Sequence, residues 1–171
     1  MRLVALLLLA LVFAAPAAAA GPRFGLFDLN DLARASHNSY GDVKVSQRAT
    51  ALRGTVVRCG ASCRFGSGWL AFEKGPSLTA GNVLSAKAHS GRIGWSVDLG
   101  LTARGRTRWT AFSKIAAQRA KSSGFPDVLA VVVNGEILAA PYANDVRYKN
   151  GTLELVGFSR AAALRAAKTL G

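Results

Sequence analysis

The sequence predicts an α+β fold: a mainly antiparallel sheet with two helices packed on one of its faces, preceded by an N-terminal tail. Three observations carry this expectation. Over residues 93–102, Ile93, Trp95, Val97, Leu99 and Leu101 alternate with Gly94, Ser96, Asp98, Gly100 and Thr102, the period of a strand with one apolar face. Two apolar β runs, 128–133 and 136–139, are joined by Asn134-Gly135, the dipeptide best able to take the positive φ angles of a two-residue hairpin turn. Two further segments, beginning after Thr102 and after Ser159, carry apolar residues three or four apart, the spacing of helices with one buried side. Short hairpin links make the sheet antiparallel, because parallel neighbours need long crossovers.

In chain order, residues 1–20 come first. Arg2 precedes a leucine-rich run, and alanines follow with small residues spaced for cleavage after Ala20 or Ala17, the pattern of a secretory signal peptide. An uncleaved anchor is the alternative, since residues 3–20 are uncharged and near bilayer-spanning length. Pro16 weakens the second half of such a span. The expected location is therefore secreted, periplasmic or in the cell envelope. Residues 21–54 break any long period and read as a tether or peripheral segment, with at most a short helix through Leu26, Phe27, Leu29, Leu32 and Ala33 capped by Asn30. The folded domain is expected from residue 55 to residue 171.

That domain opens with strands at 55–58 and 64–73 flanking Cys59-Gly-Ala-Ser-Cys63. In an oxidising compartment a Cys59–Cys63 disulfide is the first reading of two cysteines so spaced, and so small a loop would pin a hairpin end more than stabilise the whole fold. Gly75-Pro76-Ser77 closes the hairpin, and a further strand covers 78–86 and continues to 89, with Ser90-Gly91 as a turn. After the strand 93–102, Thr102 caps a helix to about residue 121 with Trp109, Phe112, Ala116 and Ala120 on its buried side, stopped by Gly124 and Pro126. The Asn134-Gly135 hairpin follows. An irregular stretch with Tyr142, Arg147 and Tyr148 leads to an Asn150-Gly151 turn and a strand through Leu153, Leu155 and Val156. Ser159 caps the last helix, with Leu164, Ala167 and Leu170 expected on one side.

Composition narrows the function. The chain has 22 Lys and Arg against 9 Asp and Glu, a formal net charge of +13, and loss of Arg2 with the signal peptide leaves 21 against 9, or +12. A basic exported protein meets anionic envelope polymers, lipid headgroups or acidic peptide stretches, and a working signal peptide excludes intracellular nucleic acid. The cations recur singly, as they would on any solvated surface, and only Arg104, Arg106 and Arg108 cluster. No phosphate loop or dinucleotide fingerprint is present, so no cofactor is expected. His37 and His89 stand in no catalytic or metal-ligand spacing, and no carboxylate pair suggests hydrolysis. No catalytic residue, cofactor site or metal site is assigned, and a binding module is expected rather than an enzyme.

The residues also resemble a family. Leu129-Ala-Val-Val-Val-Asn-Gly-Glu-Ile-Leu-Ala-Ala-Pro141 is similar to the signature hairpin of the head subdomain in the first periplasmic domain of SecD, a protein-export component. Trp95-Ser-Val-Asp-Leu-Gly-Leu-Thr102 before a helix, Leu153-Glu-Leu-Val-Gly-Phe158 before an alanine-rich helix, and the segment 75–86 agree in order, covering residues 66–171. SecD commonly has Asp where this chain has Asn134, and the sequence holds neither the six membrane spans nor the base subdomain of SecD. The resemblance therefore implies no proton-driven motor, but contact with a secreted polypeptide or a protein partner outside the membrane. Val131, Val133 and Ile137 of the hairpin, with Trp95 on its strand, are the candidate partner-binding residues, provided that no other part of the chain covers the hairpin.

Overall fold

The computed structural model describes residues 23–31, 55–59, 68–72, 74–91 and 94–171. Its strands are β1 (Phe24–Asp28), β2 (Thr55–Cys59), β3 (Gly68–Phe72), β4 (Leu78–Thr79), β5 (Val83–Gly91), β6 (Gly94–Leu101), β7 (Leu129–Val133), β8 (Glu136–Ala139), β9 (Arg147–Lys149) and β10 (Thr152–Phe158). Two helices, α1 (Ala103–Ser123) and α2 (Arg160–Leu170), complete it. The class is the expected α+β, yet the strands divide between two sheets. One has six strands in the order β3-β2-β8-β7-β1-β4, the other four in the order β5-β6-β10-β9. All pairs are antiparallel except β2 with β8.

The chain first changes sheets at a 3₁₀ turn, Ala80–Asn82, between β4 and β5. Asn82 is buried there, and its Oδ1 accepts from the backbone N–H and the hydroxyl of Thr79 at 3.0 and 3.1 Å. Its carbonyl accepts from the N–H of Thr102, so one residue fixes both the corner and the start of α1. Thr102 caps that helix as expected, its hydroxyl accepting from the N–H of Gly105, and Gly124 ends it at φ 75°. The buried side of α1 is Gly105, Trp109, Phe112 and Ala116.

β1 corrects the reading of residues 24–28, expected as part of a tether or short helix. Phe24–Asp28 is no tether or helix but an interior strand, buried at every position and paired with β7 and β4. Both faces of the six-stranded sheet are covered, so its inner strands carry continuous apolar runs and not the alternation of a half-exposed strand. On one face Phe24, Leu26, Leu129, Val131 and Val133 pack with Leu99 and Leu153 of the second sheet and with Trp109 and Ala163 of the helices. On the other, Phe27, Ala130, Val132 and Ile137 meet Leu70 and Phe72 of β3.

That second cluster reveals a strong curl. Four strand spacings separate β1 from β3, roughly 19 Å in a flat sheet, yet the rings of Phe27 and Phe72 stack with centroids 4.7 Å apart. The sheet bends round until its two sides touch.

Both Asn-Gly turns form as expected, and the second also proves to be a hairpin turn. Asn134 and Gly135 have φ 50° and 75°, and Asn150 and Gly151 have φ 51° and 80°, the double positive φ of the favoured two-residue turn. The stretch expected to be irregular supplies β9, which pairs with β10 across the second turn. In α2 the buried residues are Ala163 and Ala166, while Leu164 is 48% exposed. Small residues face the sheet because they let the helix sit close, and leucine is turned outward. The Cys59–Cys63 pairing, His37, Ile93 and the signal peptide lie outside the described residues. Among the described residues no helix is long and apolar enough to cross a membrane.

Candidate functional site

The hairpin expected to receive a partner is closed within the chain. Val131 and Val133 are 1% exposed and Ile137 6%, the first two against the helices and second sheet, the third inside the curl. This corrects their assignment as binding residues: an apolar side chain already removed from water offers nothing to an external partner. Trp95 is half-buried at the edge of the core, and the guanidinium of Arg160 lies 5.5 Å from the centre of its ring. Asn134 keeps its place at the exposed tip of the hairpin.

Alongside scattered exposed apolar side chains such as Leu84, Ile115 and Phe125, the surface carries charge. Helix α1 carries Arg104, Arg106, Arg108, Lys114, Arg119 and Lys121 and no acid. Three of the six lie in its first two turns, where the partial positive charge of the helix N-terminus disfavours cations. Arg106 donates to the carbonyl of Leu101 at 3.1 Å, and Arg108 donates to the carbonyls of Ser77 and Pro76 at 2.9 and 3.1 Å. These bonds hold the side chains in place and leave their charge unneutralised. Among the described residues Arg104, Lys114 and Lys121 are exposed and have neither hydrogen-bond nor ion-pair partners.

Arg119 is the exception. It pairs with Asp28 of β1 and lies 3.6 Å from Asp127, just before β7. Asn30 completes the cluster, its backbone N–H and Nδ2 donating to Asp28 at 2.9 and 3.0 Å, and Nδ2 also to Asp127 at 2.8 Å. Asp28 and Asp127 are 4% and 6% exposed. Burial first, then the neighbouring Asp28, pushes the Asp127 carboxyl above its ordinary value, and its Oδ2 has no hydrogen-bond donor. Beside it lies a cleft of about 120 Å³ walled by Trp109, Phe112 and Pro126.

A third group of polar residues sits on the outer face of the four-stranded sheet. His89 of β5, Asp98 of β6 and Glu154 of β10 bring one ligand atom each to within 4.8 Å of one another. The Ser90 carbonyl, then Asp98, raises the His89 imidazole above its ordinary value. No protein family, curated protein or solved structure matches the chain. Sequence reading missed both carboxylate groups for one reason: the paired carboxylates, Asp98 with Glu154 and Asp28 with Asp127, lie 56 and 99 residues apart in the chain, and only the fold joins them. The one available signal was local, the placing of Asp98 on the polar side of an alternating strand.

Proposed function

We propose that this chain is an exported binding module that holds anionic surfaces, envelope polymers or lipid headgroups bearing phosphate or carboxylate, through the cations of α1. The supporting observation is the composition of that helix: six cations, no acid, and among the described residues a single ion-paired member. A helix that keeps arginines at its unfavourable end, pinned by backbone carbonyls, has its charge placed for something outside the fold. Anion binding of this kind is electrostatic and sequence-tolerant, as suits a net charge of +12 after signal removal.

A salt series on the purified protein with phosphatidylglycerol vesicles tests this. Binding should be present near 0.1 M salt and largely lost near 1 M, as the Debye length falls from about 10 to about 3 Å. Replacing Arg104, Lys114 and Lys121 together by Gln should weaken it about tenfold, if each exposed contact supplies roughly 0.5 kcal/mol. Binding that survives 1 M salt, or ignores the triple substitution, refutes the reading.

A second reading keeps the SecD resemblance and a polypeptide partner. It is favoured by β5, a nine-residue edge strand whose outer side pairs with no described strand, with Leu84 exposed upon it. An extended peptide could add there as a further strand. Such binding would persist at high salt and would be blocked by a proline within β5, and crosslinks from Leu84 would reach a secreted chain.

A further inference from the structure

The outer face of the four-stranded sheet carries a charge row that folding alone does not explain. Strand register sets Lys87, Asp98, Glu154 and Arg147 side by side across β5, β6, β10 and β9. Asp98 and Glu154 are therefore direct cross-strand neighbours, and like charges so placed destabilise a sheet. Lys87 and Arg147 flank the pair without forming an ion pair with it: among the described residues Asp98 has only His89, and Glu154 has none.

His89 lies diagonally across from Asp98, and both its ring nitrogens are committed. Nδ1 is 3.3 Å from the carbonyl oxygen of Ser90, an atom that can only accept, so Nδ1 carries the hydrogen. In the neutral ring Nε2 then turns its lone pair toward Asp98 Oδ1, also 3.3 Å away. A lone pair and a carboxylate oxygen repel unless something positive lies between them, a proton at low pH or a metal ion when the ring is neutral. Two ligands on one tetrahedral ion, each about 2.0–2.1 Å from it, sit about 3.3–3.4 Å apart.

We propose that His89 Nε2, Asp98 and Glu154 form a binding site for a divalent transition-metal ion of the zinc class. One imidazole and two carboxylates are ligands that such an ion accepts. An imidazole whose other nitrogen donates to a backbone carbonyl is the usual arrangement of a metal-ligating histidine, since that bond fixes the tautomer and the ring. The ion neutralises the two facing carboxylates and relieves their repulsion. Three protein ligands on an open sheet face leave at least one position to water or to a donor from outside, unlike the closed four-ligand set of a structural site. The site is independent of α1 and of the anion-binding reading.

Calorimetric titration of the full chain with Zn²⁺ alone tests it. One equivalent should bind, and His89→Ala, or Asp98→Asn with Glu154→Gln, should each weaken binding by about tenfold or more, the loss expected even for an outer-shell partner. His37→Ala should leave it unchanged. Co²⁺ in place of Zn²⁺ should give visible bands of nitrogen and oxygen ligation without the near-ultraviolet charge transfer of thiolates, which separates this site from Cys59 and Cys63. Without metal, Glu154→Gln should raise the melting temperature, and Zn²⁺ should then no longer shift it. Absent binding, binding indifferent to His89→Ala, or thiolate bands would overturn the proposal.

Discussion

Asp127 sits where opposing forces on one carboxyl can be measured. Burial and Asp28 raise its pKa above the ordinary aspartate value of 3.8, while Arg119 and Asn30 pull it down by less. A raised folded-state pKa has a definite linkage sign. Below pH 3.8, folded and unfolded chains both hold the proton and the fold bears no penalty. As pH rises through the higher folded value, the proton must leave a buried site, and that stability is lost. Asp127→Asn keeps an oxygen for Asn30 and cannot ionise, so its melting temperature should match the parent below about pH 4 and exceed it at pH 7. A lower melting temperature at pH 7 would mean that attraction to Arg119 outweighs desolvation.

At the scale of elements, Arg119 links three segments of chain: α1, the end of β1 and the approach to β7. Arg119→Ala would leave Asp28 and Asp127 buried together without their cation. Removing one partner of a buried pair costs about 3–5 kcal/mol, and the lower end applies here because the Arg119 side chain is 37% exposed. Denaturant melts should find that loss, and Asp127→Asn placed on Arg119→Ala should recover part of it. Strictly additive effects would deny the coupling. Elements such as α1 were legible because their signals are local: Thr102 and Gly124 mark the ends, and Trp109, Phe112 and Ala116 repeat at helical spacing. The same holds for Asn134-Gly135. β1 was not legible, because Phe-Gly-Leu-Phe-Asp has neither alternation nor length, and only the neighbours on both faces make it a strand. In α2 the alanines outnumber every larger residue, so the sequence did not say which side would close on the sheet.

The molecule as a whole consists of two sheets that share one core and differ in how they are held. The four-stranded sheet is closed by helices, whereas the six-stranded sheet curls until Phe72 of β3 meets Phe27 of β1. No sequence pattern announces that contact, since it joins residues 45 positions apart in a sheet whose flat form would keep them far from each other. The curl predicts uneven stability. Phe72→Ala empties a fully buried site and should cost about 3–5 kcal/mol, most of it borne by the β2–β3 pair, which among the described strands joins the rest of its sheet only through β2 with β8. Amide hydrogen exchange should then quicken across Thr55–Cys59 and Gly68–Phe72, while β5, β6 and β10 keep their protection. If exchange instead quickened equally in both sheets, the two would unfold as one cooperative unit, and the stacked pair would be holding the whole protein and not one flap of it.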